Sequence, residues 1–466
     1  MSFFQIIAVL LTLTALMAYL NHRVLKLPQT IGLMALALVF SFVLIGLSWA
    51  LPGSGIGDRA RAVLDQVDFD AALLNGMLGF LLFAGALHVD MARLWARKRP
   101  VALLATLGVV ISTALVGVMT WGLFGVLGLE VKLIYCLLFG ALISPTDPIA
   151  VLAILKTLGA PESLETKIAG ESLFNDGVGV VVFLALMGVA GFDAHASGHG
   201  PPTASIHTVE TLAPASAEAP GHATGPAKDS HEVVEELEHV GVDLGEVSVL
   251  FAKETLGGAA FGLAIGFIAF LMLKSVDEYK VEVMITLAMV AGGYALASAW
   301  GVSGPIAMVV SGLLIGNHGR AEAMSDKTRE HVDKFWELID EILNAVLFVL
   351  IGLEVLVLTF DEINLEAGLV AIPLVLLARF VSVSVPMLAL RHFHDVTPHA
   401  IKMLTWGGLR GGISVALALS LKESLGQADP LSYQAILFMT YTVVVFSIIV
   451  QGLTIPGLLR RLNLGH

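Results

Sequence analysis

Along this chain the polar positions fall in short clusters and the apolar ones in long runs. Runs long enough to cross about 30 Å of hydrocarbon as a helix follow one another nearly from end to end. The pattern predicts thirteen spanning helices, at approximately 3–21, 29–51, 70–89, 100–127, 131–155, 168–190, 249–273, 282–300, 303–316, 333–358, 365–390, 399–421 and 432–456. The ninth is short for a crossing, and the tenth has a charged, amphipathic entry. The sequence lacks the alternating segments of about ten residues that mark a membrane β-barrel. The expected fold class is therefore an all-α polytopic membrane protein.

Composition agrees. Of 466 residues, 56% are hydrophobic and 14% charged, with a mean hydropathy of +0.85. The net charge of −13 does not point to a nucleic-acid partner, because much of the acid lies in one extramembrane insert. The single cysteine, Cys136, sits in an apolar run and reads as core packing, with no disulfide framework or metal cluster implied. Met1–Gln5 carries no basic n-region, and no small-residue cleavage site follows the first apolar run, so that run reads as a retained helix.

The basic residues orient the chain. Arg23, Lys26, Arg93, Arg97, Lys98, Arg99, Lys156, Lys167, Lys274, Lys280, Arg320, Lys327, Arg329, Lys334, Arg391, Lys402, Arg460 and Arg461 fall on one side of the predicted topology. The other side holds Arg59, Arg61, Lys132, Lys228, Lys253 and Lys422. The richer side is expected to be cytoplasmic, with the N-terminus outside and the C-terminus inside. Arg379 and Arg410 are left over, at mid-membrane depth.

Two runs are interrupted. Ser144-Pro145-Thr146-Asp147-Pro148 breaks the fifth span, and Gly407-Gly408-Leu409-Arg410-Gly411-Gly412 breaks the twelfth. Non-helical backbone at that depth is tolerated only where it is buried in protein or lines a polar cavity. If spans 1–6 (residues 1–190) match spans 8–13 (residues 282–458), with 249–273 as a linking helix, the two copies are inverted and their breaks correspond. That plan marks a transporter with a binding site at the repeat interface.

Residues 191–248 form one long outer insert, rich in Ala, Pro, Gly, Ser and His and then acidic, and expected to be disordered. His231, Glu235 and His239 are spaced to share a helix face and make a weak divalent-metal candidate; a solvated acidic segment is the favoured reading.

The chemistry lies in the fifth and sixth spans. Gly170-Glu171-Ser172-Leu173-Phe174-Asn175-Asp176-Gly177 puts Ser172 four residues before Asp176, and Glu171 four before Asn175. Carboxylates at membrane depth are expensive and rarely accidental. Asp147, Asp176, Ser172 and a carbonyl near Thr146 would make an oxygen cage suited to a hard monovalent cation. Glu171 is expected to pair with Arg379, since buried charges normally pair. Asp147 either binds the cation or pairs with Arg410, which would offset the helix dipole ends at the break. Asn175 is expected to bridge the broken segment to the sixth span.

Taken together, Gly-Glu-Ser-Leu-Phe-Asn-Asp-Gly, Ser-Pro-Thr-Asp-Pro, Gly-Gly-Leu-Arg-Gly-Gly, the Phe348–Glu354 run and Ala378-Arg379-Phe380 resemble the monovalent cation:proton antiporters, in the sodium/proton exchanger (NhaP-type) branch. The resemblance covers almost the whole membrane part. It implies a dimerisation domain beside a six-helix core with two crossed, broken helices, and a homodimer in the lipid bilayer. It gives Asp176 the role of cation and proton carrier, pairs Glu171 with Arg379, and implies electroneutral exchange. The short stretch after the last span implies a prokaryote-like transporter of the inner cell membrane, without a regulatory tail. The His-rich insert departs from the family pattern.

The expected function is secondary antiport of Na⁺ or Li⁺ against H⁺, with no cofactor and no enzymatic step. A potassium/proton antiporter is the alternative. More distant ones are a cation channel, disfavoured by an inverted repeat within one chain, and a metal-responsive sensor resting only on the insert histidines. The chain has no Gly-x-Ser-x-Gly, His-Glu-x-x-His or nucleotide-binding loop.

Overall fold

The computed structural model describes residues 3–51, 55, 69, 72–192, 244–390 and 399–462. Among these, regular structure is helical, and the one strand-like pairing is an antiparallel bridge between Asp147 and Leu409. Among the described residues, eight helices are long and apolar enough to cross a membrane: Gln5–Leu25, Gln29–Ala50, Lys98–Val126, Glu162–Val189, Ala252–Lys274, Tyr279–Ala299, Glu362–Leu390 and Pro430–Arg461. Shorter apolar helices run over Ala72–Leu87 and Leu133–Ile143.

Local chemistry sets the element ends. The Glu162–Val189 helix starts after Pro161 and carries Glu162 and Glu165 in its first turn, where acids complement the dipole. This is earlier than hydropathy suggests, because polar first turns read as loop. The Asp326–Glu354 helix also starts early, since Ser325 caps it by accepting a bond from the Thr328 amide. The Leu244–Lys274 helix reaches five residues into the range expected for the outer insert. Apolar residues already recur there at helical spacing, at Leu244, Val247 and Phe251.

The two Pro/Gly clusters divide their helices. Leu133–Ile143 stops before Pro145, and the chain resumes as Ile149–Thr157 after Pro148. Ala400–Trp406 and Gly412–Ser420 are separated by residues 407–411. The span expected over 100–127 is also divided, at Thr106. The last helix contains a π-helical turn, Ser447–Gln451. Such turns free polar groups for other contacts.

Three apolar clusters pack these elements. The largest joins Leu138, Phe139, Leu142, Phe348, Ile351, Val415 and Ile436. A second surrounds Phe83, Met308 and Trp336, and a third surrounds Val151, Leu155, Met403, Leu404 and Leu459. Cys136 lies buried in the first. Large apolar side chains also point outward, among them Phe42, Val43, Trp49, Phe267, Ile268 and Leu271, as suits a lipid-facing wall.

Candidate functional site

The two divided helices cross at their breaks. The Asp147 amide donates to the Leu409 carbonyl at 2.8 Å, closing the antiparallel bridge. Crossing two interruptions brings four helix ends together, and each C-terminal end meets a cation. Arg410 Nη1 donates to the Ser144 and Pro145 carbonyls at 2.5 and 3.0 Å, at the end of the Leu133–Ile143 half. Arg379 donates from Nε and Nη2 to the Leu404 carbonyl at 3.2 and 3.1 Å, in the last turn of Ala400–Trp406. Cations at C-terminal ends offset the partial negative charge of unpaired carbonyls. At a resuming N-terminal end sits an acid: Asp147 Oδ1 accepts from the Ile149 amide at 2.9 Å.

The π-helical turn supports this crossing. Ser447 Oγ accepts from the Arg410 amide at 2.9 Å, and Gln451 Nε2 donates to the Trp406 carbonyl at 2.9 Å. Gly411 permits the close approach. A Cβ there would fall 2.7 Å from Asp147 Oδ2.

The Glu162–Val189 helix adds the remaining polar face. Glu171, Ser172, Asn175 and Asp176 are all buried. Asn175 Nδ2 donates to Thr146 Oγ1 at 2.9 Å, and Asn175 Oδ1 accepts from the Thr146 amide at 3.3 Å. Thr146 and Ser172 share a hydroxyl–hydroxyl bond of 2.9 Å. Asn175 also reaches Glu171 Oε1 at 3.4 Å. Glu171 takes a bidentate bond from Arg379, with Nη1–Oε1 at 2.5 Å and Nη2–Oε2 at 2.9 Å. The side chains of this pair are 7% and 2% exposed.

Asp176 lies outside the Glu171–Arg379 pair, within electrostatic reach of Asp147 and Glu171. Asp147 keeps partial exposure. The structure thus brings Thr146, Asp147, Glu171, Ser172, Asn175, Arg379 and Arg410 into one bonded neighbourhood, with Asp176 beside it. Of the two partners considered for Arg410, the carbonyls of the break take it, and Asp147 is held instead by the Ile149 amide. His231, Glu235 and His239 lie outside the described residues. Among the described residues no group of three or more His, Cys, Asp or Glu could hold a metal ion.

Sequence reasoning missed two parts. The bond from Arg379 to the Leu404 carbonyl has no side-chain partner to betray it. Ser447 and Gln451, four apart in an otherwise apolar run, were the available signal for the supporting turn. Chemically, the site offers carboxylate and hydroxyl oxygens, the ligands a hard cation prefers. Arg379 is engaged by Glu171 and the Leu404 carbonyl, and Arg410 Nη1 by the Ser144 and Pro145 carbonyls, while Arg410 Nη2 is buried without a hydrogen-bond partner.

The chain is similar to known proteins over nearly its whole length. The family model described as "Sodium/hydrogen exchanger, transmembrane" matches residues 10–461. The Na(+)/H(+) antiporter NhaP of Pseudomonas aeruginosa is 46% identical over 466 residues, covering 99% of this chain and 97% of that protein. The Na(+)/H(+) antiporter NhaH of Halobacillus dabanensis is 31% identical over 446 residues, covering 95% and 94%. The solved structure of the sodium proton antiporter MjNhaP1 from Methanocaldococcus jannaschii at pH 8 shares the fold, with a TM-score of 0.69, 18% identity and 99% coverage of both chains. With a family match over nearly its whole length and these two relatives, the chain belongs to the sodium/hydrogen exchanger family.

Proposed function

We propose that this protein exchanges Na⁺, or Li⁺, for H⁺ across a membrane by alternating access around Asp176. The observation that carries the reading is the crossing of two helix breaks at the Asp147–Leu409 bridge, beside a buried acid left out of the Glu171–Arg379 pair. The activities named for the relatives support the choice of ions.

Asp176 accepts either a proton or a cation. Cation binding requires the ionised carboxylate, so the two loads exclude each other. A bare charge at the centre of a bilayer costs about 3 kcal/mol or more. The empty carboxylate therefore stays put, and movement requires one load or the other. Asp147, Thr146 and Ser172 supply the other oxygen ligands. Asn175 contributes no titrating group, so one carboxylate trades one Na⁺ for one H⁺ and the cycle is electroneutral.

The same reading places thirteen crossings in two inverted six-helix repeats, with the N-terminus outside and the C-terminus in the cytoplasm, in a homodimer of the prokaryotic inner membrane. The positive-inside distribution supports the orientation.

The test is proton flux in proteoliposomes with Na⁺, Li⁺ or K⁺ added in turn. Na⁺ and Li⁺ are expected to drive flux, and Asp176→Asn to abolish it while the protein still folds and dimerises. Substantial sodium-driven flux from that variant, or flux driven by K⁺ alone, refutes the reading.

A further inference from the structure

The Asp326–Glu354 helix carries a second acid that the site described above does not use. Its face can be followed residue by residue. Leu347 packs on the start of the Gly412–Ser420 half-helix, where a Cβ on Gly412 would meet Leu347 Cδ1 at 2.5 Å. The preceding residue, Gly411, touches Asp147. One turn back along the helix from Leu347 is Asn344, and one further turn back is Asp340. Trp336, another turn toward the Asp326 end, fixes this stretch. It is fully buried, packs against Phe83 with ring centres 4.7 Å apart and planes tilted by 60°, and donates from Nε1 to Thr286 Oγ1 at 3.0 Å.

Asp340 is half-buried and within electrostatic reach of Asp147. Its bonded neighbour is neutral: Asn344 Nδ2 donates to Asp340 Oδ1 at 3.1 Å and to the Asp340 carbonyl at 2.8 Å. That geometry turns the Asn344 nitrogen toward Asp340 and leaves Asn344 Oδ1 buried with no hydrogen-bond partner. Buried acceptors ordinarily find a donor. Here a carboxylate and an orphan carbonyl oxygen, both anionic or acceptor-only groups, lie one turn apart on the face that leads to Asp147. Each is an oxygen ligand of the kind a hard cation takes.

We propose that Asp340, with the Asn344 side-chain oxygen, is a staging site for the transported alkali cation on the path between the Asp326 end of this helix and the Asp147–Asp176 site. This rests on the exchange reading above. Under the proposed topology that end is cytoplasmic, so the station concentrates Na⁺ on one face only. It acts on cation capture and leaves the turnover of the loaded carrier alone.

The experiment measures the apparent KM for Na⁺ from each face, in right-side-out and inverted vesicles, with maximal rate and melting temperature recorded for every variant. Asp340→Asn keeps the shape and the bond to Asn344. It is expected to raise KM roughly tenfold at the Asp326-end face, from loss of one nearby charge in a partly wetted path. Maximal rate and KM at the other face should stay near wild type. Asp340→Glu should retain low KM, and Asn344→Ala should raise it at the same face, giving an independent reading if Asp340→Asn folds poorly. Unchanged KM in both Asp340→Asn and Asn344→Ala, or an equal rise at both faces, overturns the proposal. Failure of the exchange reading is separate: wild-type protein would show no sodium-driven flux at all.

Discussion

Arg379 holds two structures at once, and its removal should register as lost stability more than as altered ion choice. Replacing it by alanine strips Glu171 of a bidentate partner at 2.5 and 2.9 Å and takes two donors from the Leu404 carbonyl. Both charges are nearly sealed from solvent, so water cannot take the place of the guanidinium. Breaking a buried pair from one side costs about 3–5 kcal/mol, because the remaining charge is uncompensated. Even 3 kcal/mol is a factor of roughly 150 in a folding equilibrium. The packing adds to the loss: a Cβ on Gly408 would lie 2.6 Å from Arg379 Nε, so the backbone is fitted around the guanidinium. Thermal melting in detergent is the assay, alongside sodium KM in proteoliposomes. Arg379→Ala should lower the melting temperature by several degrees, at about 2 °C or more per kcal/mol. The double variant Glu171→Leu with Arg379→Leu should recover part of that loss, since a buried pair replaced by apolar groups is often neutral. A single variant as stable as wild type but altered in sodium affinity would refute the reasoning and make Arg379 a ligand-site residue.

Gly411→Ala puts a Cβ 2.7 Å from Asp147 Oδ2, and relieving that overlap should cost about 1–3 kcal/mol and displace the carboxylate; sodium KM should rise with the fold intact, and a KM equal to wild type would show that Asp147 is not a ligand. Single-carboxylate exchange should be indifferent to membrane potential, so a severalfold change in rate under valinomycin-clamped potentials would exclude one-for-one stoichiometry. Deleting residues 195–240 should leave the exchange rate nearly unchanged, because a segment of that composition buries too little apolar surface to fold by itself. Inhibition by micromolar zinc that disappears with the deletion would instead make His231, Glu235 and His239 a regulatory site.

What was legible in the sequence follows from how each feature is encoded. The chain breaks were readable because proline and glycine state a backbone conformation locally: Pro145 and Pro148 bracket one interruption, and four glycines surround the other. Asn175 was readable because its spacing from Glu171 puts both on one face. The Glu171–Arg379 pair was readable too, from two opposite charges left at the same depth; the carbonyl partners of the two arginines were not. Arg410 and Arg379 bond to the carbonyls of Ser144, Pro145 and Leu404, and a carbonyl is present at every residue. Only the crossing of the two breaks decides which ones are left without an intrahelical donor. The sequence offers both Asp147 and the helix ends of the break to Arg410, and the crossing selects the Ser144 and Pro145 carbonyls.

Asp340 escaped for a related reason. Its helix opens with Asp326, Lys327, Arg329, Glu330, Asp333 and Lys334, and an acid six residues further on reads as more of the same solvated entry. Depth separates the two groups. Lys334 and Glu330 bond to each other on the exposed face, where such pairs contribute little. Asp340 is half-buried, one turn past the fully buried Trp336 and one turn before the buried Asn344. Hydropathy averages over the window that contains both, so it assigns them one environment. The side-chain geometry assigns two, and only the inner acid stands on the face that leads to Asp147.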